Sequence, residues 1–126
     1  MRSGNIRCCI QLLGEERPRY IRYPGFYLTA SFAARVGDHE LDAELGGYQL
    51  IHRPTGFRLT WVANLGLARE AAELLEPLAD WGRKVDQFDG PKLLPPGPVG
   101  ERIKIFLHEM KREGIPNAAL LQESEE

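Results

Sequence analysis

A chain of 126 residues, 43% apolar and 27% charged, is long enough to bury a core as a single domain. Its net charge of −2 excludes the strongly basic surface that tight nonspecific binding to duplex DNA or acidic membranes requires, and no apolar run reaches bilayer-spanning length. The two cysteines, Cys8 and Cys9, are adjacent and point to opposite faces of a strand; with no apolar leader at the N-terminus, they lead to the expectation of a reduced, cytoplasmic protein.

Alternation of apolar and polar residues dominates the first half. In residues 6–13, IRCCIQLL, the positions Ile6, Cys8, Ile10 and Leu12 share a face and predict a first strand. Gly14-Glu15-Glu16 reads as a turn, and RYIRY as a second strand ending at Pro24-Gly25. FYLTASFAARV, from Phe26 to Val36, predicts one continuous strand. Gly37-Asp38 and Gly46-Gly47 are two-residue loop signals on either side of HELDAEL, and Pro54-Thr55 separates YQLIHR from GFRLTWV. These loops set Ala34 against Leu41, Ala43 against Leu50, Leu50 against Leu59 and Tyr48 against Trp61, so the three registers agree on one apolar face. HELDAEL also admits a short helix through Leu41 and Leu45, and a bulge at Gly56 would shift the last strand by one.

Beyond Val62 the period becomes helical. Asn64 is an N-cap, and Leu67, Ala71, Leu74, Leu75 and Leu78 form a stripe. Pro77 kinks its end or opens a second turn, and Trp81-Gly82 closes it. Residues 86–98 hold four of the nine prolines and read as a linker or crossing loop. A helix over 99–115 follows, with Ile103, Phe106, Leu107 and Met110 as its stripe and Gly114 as its stop. The expected architecture is α+β: an antiparallel β-meander of four to six strands, one face covered by one or two C-terminal α-helices. Residues 1–85 form the meander and first helix, and 116–126 a tail, within one domain overall.

The remaining question is chemistry. The other face of the meander carries Arg35, Glu40 and Arg53 in one row, Ala33, Asp42, Ile51 and Arg58 in the next, then Ser31, Glu44, Gln49 and Thr60, which reads as a salt-bridged solvent face. Residues 1–60 carry eight basic and six acidic side chains, whereas 61–126 carry eight and twelve. The basic half contains EERPRYIRYPGFY, residues 15–27, with three arginines and four aromatic rings. Tyrosines offer stacking surface and arginines offer phosphate contacts. Arg17, Arg19, Tyr20, Arg22 and Tyr23, with Arg53 and Arg58, are therefore the candidate nucleic-acid contacts. The same pattern also fits a plain strand with buried tyrosines.

Over residues 26–82 the predicted strands and helix are similar in topology to the ββββα units of the PUR and Whirly single-stranded DNA binders. GPVGERIK, Gly97 to Lys104, resembles the backbone-clamping loop of KH domains. Both resemblances imply nucleic-acid binding. Catalytic signatures fail: His108-Glu109 lacks a second histidine four residues on, no Walker A lysine follows Gly100, and GxSxG and dinucleotide fingerprints are absent. Cys8, His39 and His52 are too scattered to predict a metal site. No catalytic residue, metal or cofactor is assigned. The expected function is non-enzymatic binding of single-stranded nucleic acid. The alternative is a protein-interaction module, a regulator or inhibitor of a larger complex, docking through Phe106, Leu107 and Met110. A homodimer is compatible with either.

Overall fold

Five strands form one antiparallel sheet in chain order: β1 (Arg2–Ile10), β2 (Arg19–Tyr27), β3 (Phe32–Val36), β4 (Tyr48–His52) and β5 (Arg58–Val62). Two helices follow, α1 (Leu65–Leu75) and α2 (Pro98–Glu113), with short 3₁₀ turns at Glu76–Leu78 and Ala118–Leu121. The computed structural model describes residues 2–10, 19–36, 47–81, 94–95 and 97–122.

The helices cover one face of the sheet. Phe32, Ala34, Leu50 and Val62 pack against Ala68, Ala71, Ala72 and Leu75 of α1 and against Ile103, Phe106, Leu107 and Met110 of α2. Asn64 starts α1 as expected, its side chain accepting the Leu67 amide at 2.9 Å. Pro77 lies in the 3₁₀ turn that ends it, so the stripe stops before Trp81. Trp81 instead enters the core, its ring edge-on to Phe32 at 4.9 Å between centroids and its Nε1 donating to Leu75 O at 2.8 Å. Gly114, at φ 74°, closes α2. Hydrogen bonds tie α2 to the sheet, from Thr60 Oγ1 to Leu107 O at 2.9 Å and, at its C-cap, from the Ala63 amide after β5 to Gly114 O at 2.9 Å.

Three expectations about the sheet are corrected. The stretch 26–36 is not one strand. Phe26 and Tyr27 finish β2, and a tight loop turns the chain so that Phe26 pairs with Ala34. The Thr29 side chain accepts the Phe32 amide at 3.2 Å, the local bonding by which a threonine competes with a strand ladder. Second, β3 pairs directly with β4, Ala34 opposite Leu50 and Val36 opposite Tyr48, leaving no lane for a strand from HELDAEL between them. HELDAEL, with Glu40, Asp42 and Glu44, lies outside the described residues. Third, Ile51 faces Arg58 as expected, but Leu59 is an extra residue in β5, so Leu50 meets Thr60 and Tyr48 meets Val62. The bulge keeps Leu59 against the helix-side core and turns Trp61 toward Gly47 and Gly114.

The second face of the sheet is not a solvent face. β2 pairs with β3 only through Phe26 and Tyr27, while β1 and β2 pair along their whole length. The β1–β2 ribbon therefore curls across the sheet. Ile6 and Cys8 bury themselves against Ala33 and Ile51, with Tyr23 and Tyr27 at the edge of this smaller core. Arg35 and Gln49, expected in solvent, are buried, and Arg35 Nε donates to Gln49 Oε1 at 3.0 Å. Gly25 permits the curl, because a Cβ there would stand 2.5 Å from Ala34 O. The far end of the ribbon lands on the β4–β5 turn, where the Cys9 amide donates to Gly56 O at 2.9 Å.

Gly56 has φ 74°, and a Cβ on it would lie 2.9 Å from Cys9 N and 3.0 Å from Arg7 O. Gly56→Ala is expected to lower stability by roughly 1–3 kcal/mol, through the left-handed backbone and the forced separation of the ribbon. In urea denaturation its midpoint falls, whereas exposed Gly66→Ala in α1 leaves the midpoint unchanged or raises it. Equal midpoints for Gly56→Ala and the parent would contradict this contact.

His52 is fully buried and held at both ring nitrogens, at 2.8 Å from Thr55 Oγ1 and 2.7 Å from Trp81 O. A carbonyl only accepts, so Nε2 carries the proton and Nδ1 accepts from the Thr55 hydroxyl. Burial holds the imidazole below its ordinary value of 6.5, outweighing the Trp81 hydrogen bond and the nearby Glu76. Below pH of about 6.5 the unfolded chain takes up a proton that the folded chain refuses, so stability is lost as pH falls through that window. The melting temperature of the parent should drop from pH 7 to 5. That of His52→Gln should start lower and fall less; parallel profiles would sink the assignment.

Candidate nucleic-acid interface

The ribbon and the β4–β5 turn bring arginines together. Along β1 and β2, Arg7 stands directly opposite Arg22, on the face that points away from Ile6 and Tyr23. Like charges directly opposite on a sheet destabilise it by up to about 1 kcal/mol. At the Gly56 contact the ribbon meets the turn that carries Arg53. Arg7, Arg22 and Arg53 then line one open groove of about 340 Å³, with Asn5, Tyr27 and Pro54 among the walls. No acidic side chain occurs among the described residues lining it, and none of the three arginines makes an ion pair with a described carboxylate.

Two of these arginines are held in place. Arg53 Nη1 donates to Thr29 O at 3.1 Å and to Ala30 O at 3.3 Å, and its guanidinium lies 4.4 Å from the centre of the Tyr27 ring. Tyr27 also carries Arg2 at 5.2 Å, and its hydroxyl donates to Asn5 O at 3.2 Å. Arg7 lies 4.0 Å above Tyr20, its diagonal neighbour across the ribbon. Cation–π contact uses the ring face and leaves guanidinium N–H donors for an anion.

The expected site is thus partly assembled and partly redistributed. Arg22 and Arg53 share the groove. Arg19 is exposed at the start of β2, and Arg58 is exposed opposite Ile51. Arg17 lies outside the described residues. Of the two candidate stacking tyrosines, Tyr20 lies under the Arg7 guanidinium, and Tyr23 lies against the buried Arg35 at 4.0 Å. Arg7, Asn5 and Tyr27 were not foreseen. A signal for Arg7 was present: a hairpin centred on Gly14-Glu15 sets Arg7 opposite Arg22.

The alternative docking residues are not on the surface. Phe106 and Met110 are fully buried and Leu107 nearly so, all within the core that α2 shares with the sheet. Exposing them would forfeit roughly 1.5–3 kcal/mol each, a large part of the stability of an ordinary domain. Covalent chemistry finds no activated group on the ribbon. Cys9 and Tyr20 share a hydrogen bond, and burial is the main cause pushing both above their ordinary values, so both stay protonated at neutral pH. Among the described residues no three His, Cys, Asp or Glu side chains gather around a common point. His39 lies outside the described residues.

Among the described residues, no helix is long and apolar enough to cross a membrane. No protein-family model, curated protein or solved structure matches the chain, so the topological resemblance to single-stranded DNA binders carries no part of the functional argument.

Proposed function

We propose that the protein is a non-enzymatic binding protein that takes single-stranded nucleic acid by its phosphates, in the groove between the β1–β2 ribbon and the β4–β5 turn. The observation that carries this reading is that Arg7, Arg22 and Arg53 line one open groove with no described carboxylate to neutralise them. A register pair of arginines costs stability in the free protein, and a bridging anion removes that cost. The groove, of about 340 Å³, lies at the small end of ligand sites, which run roughly 300–1,000 Å³. The overall charge of −2 supplies no general attraction for a polyanion, so binding depends on local basic residues.

Fluorescence anisotropy with labelled single-stranded and duplex DNA and RNA tests the proposal. Three phosphate contacts give a slope of about −2 for the logarithm of the association constant against the logarithm of salt, on single strands. Arg22→Gln should weaken binding and reduce the magnitude of that slope by about 0.7. Lys104→Gln, on the exposed side of α2, should leave both unchanged. No binding of any strand at micromolar protein would refute the proposal, as would equal binding by Arg22→Gln and the parent.

A further inference from the structure

The ring of Tyr27 carries two guanidiniums from a fixed seat. Arg2, directly opposite Tyr27 in the β1–β2 register, lies 5.2 Å from the ring centre, and Arg53 lies 4.4 Å from it. The two charges therefore stand less than about 10 Å apart, within one Debye length at about 0.1 M salt. The ring rests on Gly4, where a Cβ would lie 2.5 Å from Tyr27 Cε2, and its hydroxyl donates to Asn5 O at 3.2 Å. Arg53 is anchored further through Nη1, and its Nε and Nη2 N–H groups make no hydrogen bond among the described residues. Arg2 is exposed and pairs with no described carboxylate. Two like charges held this close on one ring oppose each other until anions arrive. Successive phosphates of a strand bring one negative charge each, at intervals of several ångströms that two such cations span.

We propose that Arg2 and Arg53, positioned by Tyr27, contact two successive phosphates of the bound strand, which leaves the groove past Tyr27 toward the start of β1. This inference rests on the nucleic-acid reading above. It adds a contact, Arg2, that is not among the described residues lining the groove, and a path for the strand. Tyr27 is a positioning residue. It holds both guanidiniums before the phosphates arrive, which reduces the freedom lost on binding.

The test measures anisotropy of labelled single-stranded oligothymidine with the full chain across a salt series. A fourth phosphate contact steepens the slope from about −2 to about −2.8, and Arg2→Gln should return it to about −2 with weaker binding. Gly4→Ala removes no charge but pushes the Tyr27 ring off its seat. It should weaken binding by about two- to tenfold and keep the parent's slope. Arg2→Lys keeps the charge but loses the planar group that lies on the ring, and should do the same. Arg2 is exposed, and an unchanged circular dichroism spectrum and melting temperature show that each variant folds. Parental slope and affinity in Arg2→Gln, with binding still weakened by Arg22→Gln, would overturn the inference and leave the strand-binding function standing. Weaker binding by Arg2→Gln but parental binding by both Arg2→Lys and Gly4→Ala would overturn the role of Tyr27. No binding by the parent would overturn both the inference and the function.

Discussion

Everything distinctive in this fold depends on where β1 comes to rest. A two-stranded ribbon is marginal in water by itself. This one is held by Phe26 and Tyr27 at its base and by the Cys9–Gly56 hydrogen bond at its far end. Between these two anchors it lies over the face of the sheet that the helices leave open. The closure gives the chain a second core of Ile6, Cys8, Ala33 and Ile51. It also sets the arginines of the ribbon beside the turn that carries Arg53. Packing and charge placement thus have a common cause, and a change at Gly56 reaches both.

The two faces of the sheet are stabilised differently. The helix side is largely apolar and continuous, with aromatic contact between Phe32 and Trp81, a buried His52 satisfied at both nitrogens and a buried Thr60 hydroxyl that donates to Leu107 O. That imidazole also joins the β4–β5 turn, through Thr55, to the segment after α1, through Trp81. The ribbon side is smaller and mixes apolar residues with a buried guanidinium, Arg35, set between Gln49 and the Tyr23 ring. Tyrosines on the ribbon act as supports on which arginines lie. A guanidinium supported in this way loses less freedom when an anion arrives than one on a free side chain, and this favours binding without adding any new contact.

Much of this was legible in the residues, and the failures have physical causes. The α+β class, the antiparallel order, the Asn64 cap, the Gly114 stop and the stripe of α2 all follow from short-range signals, and the structure contains each of them. Pairing partners were less legible. Period-two alternation says which face a residue occupies but not which strand lies beside it. Setting Ala34 against Leu41 or against Leu50 satisfies the same apolar face, and the chain adopts the second. The bulge at Leu59 was hidden because neither the Pro54 turn nor the alternation marks a residue inserted in mid-strand. The solvent face was misassigned for a further reason. Ala33 and Ile51 were themselves signs of a covered surface, but the ribbon that covers them comes from the opposite end of the sequence. The arginine groove was half visible: Arg22 and Arg53 were named, whereas Arg7 became relevant only once it was placed opposite Arg22.

The most direct test of the account is a nuclear Overhauser measurement between the Gly56 α-protons and the Cys9 amide proton. The fold predicts a strong cross-peak, because Cys9 N lies within hydrogen-bonding reach of Gly56 O and within 2.9 Å of a Cβ built on Gly56. Its absence, in a spectrum that still shows the cross-strand peaks of the β1–β2 and β3–β4 ladders, would contradict the account. The ribbon would then be formed but not closed over the sheet, and the groove between Arg7, Arg22 and Arg53 would not exist.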